Sequence, residues 1–383
     1  MSVFAELIGQ PHIVLALKDA VRSARNGEET QEMTHAWLFT GPPGSGRSSA
    51  AIAFAAALVC PESGCATCID CRSAKAGGHA DVEILATEGL SIKIDEVREL
   101  MQRVAWAPSV APWRVVVIED ADRLTESAAN ALLKAIEEPG ARTVWLLCAP
   151  SLSDVLPTIR SRTRHLQLRT PSQSEVVRVL VERDQISPGM ADFAARVSQG
   201  HIGKARYLAR DENIRSRRNV ILSLPFTITN IATAFSAAAT LVSLATEEAN
   251  SQSASKSEKE TQELGMAWGQ GATGRGMASG GAKALKELEK EQKSRATRMV
   301  RDSLDGALLD LATLYRDVLM VQSGVEASLI NNELREQIVQ LANKIRPEKV
   351  LQKIDSIMQA RTNLSFNAAP LLTIEALMCA LSE

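Results

Sequence analysis

A glycine-rich loop near the N-terminus is the stretch best suited to bind an anion. The apolar run Ala36 to Phe39 predicts a buried strand before it, and the alanine-rich segment Ser48 to Val59 predicts a helix after it. Glycines allow backbone N–H groups to turn toward a phosphate, and a helix N-terminus adds partial positive charge. The candidate nucleotide-binding residues of this loop are Gly41, Gly44, Gly46, Arg47, Ser48 and Ser49.

One position in this loop departs from the phosphate-binding motif. The motif places lysine after its last glycine, whereas this chain has Arg47. Lysine and arginine are not interchangeable as phosphate ligands, because the longer, planar guanidinium reaches phosphate differently or blocks the pocket. Nucleotide binding without hydrolysis stays open, and the alternative is an empty loop kept for packing.

Four of the six cysteines cluster directly after the predicted helix. Their spacing is Cys-x4-Cys-x2-Cys-x2-Cys, and four thiolates so close in sequence can close a tetrahedral zinc shell. A closed shell has no open position for substrate, so we predict a structural Zn²⁺ module at residues 60–71. Unrelated reduced thiols and an iron–sulfur cluster are the alternatives. The predicted metal ligands are Cys60, Cys65, Cys68 and Cys71.

A second candidate group follows the apolar run Trp113 to Ile118, which predicts a strand buried in a parallel sheet. Glu119 and Asp120 stand at its carboxyl end, where the magnesium of a nucleotide would be held. Farther along the chain, the segment Arg160 to Arg164 is a basic loop with three arginines. A solvated basic surface is the plain interpretation of this loop.

Composition limits the classes of protein to consider. The chain has 383 residues, 45% of them hydrophobic, which suffices for two or three domains with sizeable cores. A formal net charge of −2 and only 4% aromatic residues disfavour a nucleic-acid-binding module that acts through charge and base stacking. Because neither an export signal nor a run of transmembrane length is found, we expect a cytoplasmic protein without membrane contact.

The order of the predicted elements indicates an α/β domain followed by helical domains. Strands alternate with helices up to about Thr170, which implies a parallel sheet with flanking helices. We predict an α/β domain at 1–170, a small helical lid domain at 171–213 and an all-α oligomerisation domain at 214–383. The stretch 247–281 has so little apolar content that we predict much of it to be flexible, with an RNA-binding tail around Arg275 as the alternative.

Together these stretches resemble the AAA+ clamp-loader family over roughly the first 210 residues. The resemblance implies an AAA+ ATPase-like α/β domain with a zinc module, then a helical lid and a helical collar. The helical remainder fits a collar but has no distinctive motif. The resemblance rests on Ile8-Gly9-Gln10, the segment His35 to Gly44, the four-cysteine insert, Asn130 to Pro139 and Ile159 to Thr163.

The resemblance also implies a role and partners. Clamp loaders of bacterial DNA polymerase III are five-subunit rings that use ATP at subunit interfaces to open a sliding clamp and place it on primer–template DNA. This chain resembles a relatively rigid stator subunit, which lies beside an ATP-binding motor subunit of the gamma/tau type and beside the clamp-opening delta subunit. The alternatives are an active AAA+ motor ATPase, in which Arg47 and Glu119 are tolerated, and a zinc-dependent nucleic-acid-binding module.

Three residue roles follow from the resemblance. Motor subunits have Asp-Glu where this chain has Glu119-Asp120, and a misplacement of about 1 Å in such a site costs on the order of a hundredfold in rate. Arg162 lies in a Ser-Arg-Thr triplet that matches the family's Ser-Arg-Cys, so it is implied to reach the ATP of a neighbouring subunit. Arg206 matches the sensor-2 position of the lid, where it either faces a phosphate or is structural.

Overall fold

The computed structural model describes residues 2–26, 32–87, 89–267, 281–324 and 328–382. The chain divides into two compact units, Met1–Arg210 and Asp211–Glu383. The finer division into three domains stays a prediction. None of the described helices is both long and apolar enough to cross a membrane.

A five-stranded parallel sheet forms the centre of the first unit. Its strands are β1 Ala36–Thr40, β2 Val82–Leu85, β3 Arg114–Ile118, β4 Thr143–Ala149 and β5 Arg164–Gln167. The order is β2-β3-β4-β1-β5, with every neighbouring pair parallel. The predicted α/β class is therefore confirmed.

Helices cover both faces of this sheet because its three central strands, β3, β4 and β1, are buried on both faces. Along β1, Trp37 and Phe39 belong to one core, and Ala36 and Leu38 belong to the other. Helix α2 packs on the first face and buries nine of its residues there. The helices up to the end of the sheet are α1 Pro11–Asn26, α2 Arg47–Val59, α3 Ile69–Lys75, α4 Ile94–Val104, α5 Glu126–Glu137 and α6 Pro157–Arg160.

In the part of the chain that the structure describes, every regular element after β5 is a helix. Three of them complete the first unit: α7 Gln173–Glu182, α8 Pro188–Ser198 and α9 Ile202–Arg210. In the second unit α12 has a buried apolar stripe, since Leu304, Leu308, Leu311 and Leu314 are all inaccessible to solvent. The helices of that unit are α10 Glu212–Thr227, α11 Ile231–Ala267, α12 Gly281–Gln322, α13 Arg335–Lys344, α14 Pro347–Ser365 and α15 Pro370–Ser382.

Part of the stretch 247–281, which was predicted to be flexible, lies in helix α11, which includes residues 247–267. Polar side chains join this part of α11 to α12: Arg295 Nη2 lies 3.0 Å from Glu260 Oε2, and Gln292 Nε2 donates to the carbonyl of Ser257 at 3.1 Å. The flexibility of the stretch stays a prediction. Residues 268–280, including Arg275, lie outside the described residues.

Candidate nucleotide cleft, cysteine cluster and arginine loop

The glycine loop joins β1 to α2 and has the backbone geometry of an anion site. Gly44 and Gly46 have φ angles of 85° and 89°, in the left-handed region that favours glycine. Gly46 is the N-cap of α2, and no side chain among the described residues caps this helix start. The first N–H groups of α2 therefore keep the partial positive charge that attracts a phosphate.

Arg47 is the first residue of α2, and its side chain turns back onto the loop. Its Nη1 donates a hydrogen bond to the carbonyl oxygen of Gly41. Burial raises the pKa of Asp122, and attraction by Arg123 and Arg47 opposes that rise. The guanidinium therefore binds the loop itself and lies close enough to the acidic end of β3 to act on its charges.

The acidic pair Glu119 and Asp120 follows β3 directly. Asp120 Oδ2 lies 4.0 Å from Arg123 Nε. Burial raises the pKa of Cys148 on β4, and the charges of Glu119 and Asp120 add to this rise while Arg47 opposes it. The structure thus brings the acidic pair and the loop arginine together around the end of β4.

A cavity of about 540 Å³ opens beside the glycine loop within the first unit. Its volume lies in the range of small-molecule sites. Among the predicted residues, Glu119, Asp120 and Gly41 are not part of the lining, whereas the following are: Gly44, Gly46, Arg47, Ser48, Ser49 and Arg206. Sequence patterns alone did not predict several other lining residues. Ile8 belongs to a stretch already named for the family resemblance. The residues are Leu7, Ile8, Arg183 and His201.

Arg206 reaches the cavity from α9, but a carboxylate engages its guanidinium. Arg206 Nε lies 2.8 Å from Asp184 Oδ2, and Arg210 Nη2 lies 3.0 Å from the other oxygen of the same carboxylate. The Asp184 side chain is only 11% exposed, whereas that of Arg206 is 41% exposed. Arg206 is therefore held on its Nε side by a partly buried acid of its own unit.

His201 covers the glycine loop from the side of α9. A Cβ atom on Gly44 would lie 2.5 Å from His201 Cγ, so only glycine fits at this point of the loop. His201 Nδ1 accepts a hydrogen bond from the backbone N–H of Lys204 at 3.1 Å. Burial lowers the pKa of His201, and the charge of Lys204 lowers it further. A neutral imidazole thus packs against the loop and caps the start of α9.

Gln10 ties the loop to the end of the sheet. Its Nε2 donates to the carbonyl oxygens of Arg169 and Ser45 at 2.6 Å and 3.3 Å, and its Oε1 accepts from the N–H of Arg169 at 3.2 Å. Ser45 Oγ is buried and has no hydrogen-bond partner among the described residues. The loop is therefore braced from outside by Gln10.

The four predicted cysteines come together at the other end of α2. Their Sγ atoms all lie within 4.8 Å of one another. Cys60 Sγ lies 3.7 Å from Cys65 Sγ and 3.6 Å from Cys68 Sγ. Zinc–sulfur bonds of about 2.3 Å in a tetrahedron place the sulfurs about 3.8 Å apart. The cluster therefore fits a zinc ion.

Backbone N–H groups point at three of these sulfurs. Cys65 donates to Cys60 Sγ at 3.4 Å, Cys68 to Cys65 Sγ at 3.3 Å, and Cys71 to Cys68 Sγ at 3.3 Å. A hydrogen bond from the Thr67 side chain is the main cause that lowers the pKa of Cys65 to about 6. Such donors stabilise the thiolate, which is the form that binds a metal.

The arginine loop lies between α6 and β5. Arg162 Nε lies 2.6 Å from Glu137 Oε1. Its Nη1 donates to the carbonyl oxygen of Thr158 and to Ser161 Oγ, each at 3.1 Å. The side chain of Arg162 nevertheless stays 42% exposed. This arginine lies outside the lining of its own unit's cavity and presents part of its guanidinium to solvent.

The sheet order, the glycine loop between β1 and α2 and the helices that follow define an AAA+-like ATPase domain. Residues 17–172 match the family model described as "DNA polymerase III, delta subunit". Residues 299–378 match the model described as "DNA polymerase III, delta subunit, C terminal". Two separate stretches of the chain thus match models of DNA polymerase III subunits, which confirms the resemblance found in its sequence.

Relatives of two kinds match about half of the chain. The DNA polymerase III subunit delta' of Bacillus subtilis is 32% identical over 200 residues, which cover 51% of this chain and 60% of that one. The DNA polymerase III subunit gamma/tau of Mycobacterium tuberculosis is 33% identical over 171 residues, which cover 43% of this chain and 28% of that one. The chain therefore spans less than two thirds of the length of either relative.

A solved structure also aligns with the chain. It is a DNA polymerase III gamma subunit-related protein of Thermotoga maritima, with a TM-score of 0.43 and 16% identity over 95% of this chain and 99% of that one. A likeness at this level adds nothing to the assignment.

Proposed function

We propose that this chain is a delta'-type stator subunit of a DNA polymerase III clamp loader and that it donates Arg162 to the ATP site of a neighbouring subunit during DNA replication. The proposed neighbours are a gamma/tau-type motor subunit and the delta subunit. The sliding clamp and primer–template DNA are reached through the assembled complex, in the cytoplasm. The observation that carries the proposal is the position of Arg162, half exposed and away from the cavity of its own unit.

The chemistry of this role needs only charge and position. Negative charge develops on the transferred phosphoryl group, and an arginine supplied in trans stabilises it, which accelerates hydrolysis by about 10³-fold or more. Arg162 keeps a planar fork of donors on a short loop between two ordered elements. A subunit that hydrolyses little ATP itself can therefore still be required for ATP hydrolysis by the neighbouring subunit.

The chain's own loop supports nucleotide binding better than hydrolysis. Its backbone keeps the anion-binding geometry, and Ser45 Oγ has no partner among the described residues. Arg47, however, binds the Gly41 carbonyl, and Glu119 and Asp120 do not line the cavity. If ATP binds, Ser48 and Ser49 at the start of α2 would face its phosphates, and the site would serve assembly more than turnover.

The cysteine cluster completes the proposal as a structural zinc site. Cys60, Cys65, Cys68 and Cys71 would hold the ion with all four positions filled by protein. A zinc ion in such a shell supplies folding free energy and no reaction. Among the described contacts, the cluster loop is attached to the N-terminus, where the N–H of Val3 donates to the carbonyl of Gly64 at 3.0 Å.

Reconstitution of the complex tests the arginine assignment. We expect Arg162→Ala to lower the DNA-stimulated ATPase rate of the motor subunit at this interface by about a thousandfold, because the developing charge loses its partner. Arg160→Ala is the matched control, since Arg160 Nη1 donates to the carbonyl oxygen of Leu152, which precedes α6, at 3.3 Å. An unchanged rate in Arg162→Ala would show that the assignment is wrong.

The rival function is an active motor ATPase. It draws support from the retained cavity and from gamma/tau relatives as similar in sequence as the delta' relatives. The same assay separates the two on the isolated chain. Slow or absent ATP turnover supports the stator, and turnover as fast as that of a gamma/tau subunit would overturn it.

A further inference from the structure

The shortest contact of the Arg162 side chain is with a residue of helix α5. Glu137 is the last residue of α5, and its Oε1 lies 2.6 Å from Arg162 Nε. Both side chains are similarly exposed, at 45% and 42%. Nothing in the sequence spacing joins these two residues, so the pair exists only because the fold places the end of α5 beside the arginine loop.

This contact fixes the direction of the guanidinium. Nε forms an ion pair with Glu137, and Nη1 donates hydrogen bonds to the Thr158 carbonyl and to Ser161 Oγ. A guanidinium is planar, so two fixed nitrogens determine where the third one points. Nη2 has no hydrogen-bond partner in the ranges of chain that the structure describes. One nitrogen with two donors is therefore left available and already oriented.

Helix stability does not explain Glu137 at this position. A carboxylate at the C-terminal end of a helix meets the negative end of the helix dipole, which disfavours it. An exposed ion pair also adds little to folding, because water and salt screen it. Holding a long side chain in one orientation before it meets a ligand, in contrast, removes an ordering cost from the encounter.

We infer that Glu137 is a positioning residue, which orients Arg162 toward an anionic phosphoryl group on a neighbouring subunit. The inference rests on the proposed function of Arg162. Glu137 itself touches no nucleotide in this scheme. Its carboxylate holds Nε, the Thr158 carbonyl holds Nη1, and Nη2 meets the phosphoryl oxygen. Glu137 thereby orients Arg162, and Arg162 stabilises the negative charge that develops on the phosphoryl group.

Steady-state kinetics of the reconstituted complex test this inference. We expect Glu137→Ala to lower kcat of the neighbouring motor's DNA-stimulated ATPase by about threefold to tenfold, the rate equivalent of leaving one long side chain unordered. KM for ATP stays unchanged, because ATP is bound by the motor subunit. Glu137→Gln keeps an acceptor oxygen for Nε and is expected to retain at least about half of the rate. Thermal melting of the free chain stays the same or rises slightly.

A matched control and a double variant make the test specific. Glu138→Ala removes the next carboxylate of the chain, which is exposed, and should leave kcat unchanged. In an Arg162→Ala background, Glu137→Ala should have no further effect, because the residue that it orients is gone.

The outcomes separate the inference from the proposed function. If Arg162→Ala leaves the rate unchanged, the proposed function fails and the inference fails with it. If Arg162→Ala is slow but Glu137→Ala is as fast as the unaltered chain, only the positioning role is wrong. A faster Glu137→Ala would show that Glu137 restrains the finger, and an equal loss in both backgrounds would show that it acts elsewhere; either result overturns the inference.

Discussion

The two ends of α2 hold the two candidate ligand sites of the first unit, and they differ in how completely each keeps its chemistry. At the C-terminal end, four sulfurs lie within 4.8 Å of one another and backbone N–H groups point at three of them. At the N-terminal end, the glycine backbone keeps the geometry of an anion site. There, however, Arg47 binds the loop itself and the acidic pair does not line the cavity.

The difference follows from what each site needs. A closed metal site requires all its ligands at once, so a partly kept cluster has no function to preserve. A phosphate loop is made of backbone, and its shape is fixed by glycines and by packing residues such as His201 and Gln10. That shape can persist after the side chains that support ATP hydrolysis have been replaced. The three predictions that follow test this contrast.

The largest effect is expected at the C-terminal end of α2. Cys68→Ser should reduce bound zinc from about one ion per chain to near zero and lower the free energy of unfolding by at least about 3 kcal/mol. This is less than the ~10–16 kcal/mol of metal binding in small zinc peptides, because the rest of the core remains. Metal analysis and thermal melting measure both effects.

Cys379→Ser is the control for this variant, since Cys379 lies on α15 in the other unit and outside the cluster. It should keep the zinc content of the unaltered chain. If the Cys68→Ser chain still bound one zinc ion per chain, the cluster would not be the metal site. The contrast between the two ends of α2 would then no longer hold.

An intermediate effect is expected at the N-terminal end. Arg47→Lys restores the point charge that the motif requires and should tighten ATP binding by about tenfold, or about 1.4 kcal/mol. Calorimetric titration of the isolated chain with ATP and magnesium measures the change. Arg22→Lys, an exposed residue paired with Asp19 on α1, is the matched control. Equal affinities for Arg47→Lys and the unaltered chain would place the defect in the loop's surroundings instead of in Arg47.

The smallest effect is expected at Asp184. Asp184→Asn removes the charge that engages Arg206 at 2.8 Å, so the guanidinium becomes available to a phosphate in the cavity. ATP affinity should rise about twofold, since partly exposed ion pairs are worth only about 0.2–1 kcal/mol. The same titration measures it, with Asp192→Asn on α8 as the control. Weaker binding in Asp184→Asn would mean that the aspartate positions Arg206 for the ligand.

Local sequence patterns predicted the central strands well. The run Trp113 to Ile118 predicted β3, which spans Arg114–Ile118, because a strand buried on both faces is a continuous apolar stretch that ends where polarity returns. The clustered cysteines were predicted with equal success, because short spacing alone forces them together. The helix predicted over Ser48 to Val59 begins one residue earlier, at Arg47.

Contacts between distant segments could not be predicted in this way. The pairs Arg162–Glu137 and Arg206–Asp184 join residues on different elements, and no periodicity records them. The order of residues 247–267 also depends on a distant partner, because Arg295 and Gln292 of α12 supply its polar contacts. The sequence therefore indicated which residues carry charge, but their partners emerged only from the fold.

The close fit of His201 against Gly44 has a mechanical consequence. Helix α9 starts against the loop backbone with no room for even one additional carbon atom between them. Gln10 joins the same loop to the end of β5, so loop, sheet and α9 form one chain of direct contacts. A rotation of α9 would therefore be transmitted to the sheet through the glycine loop.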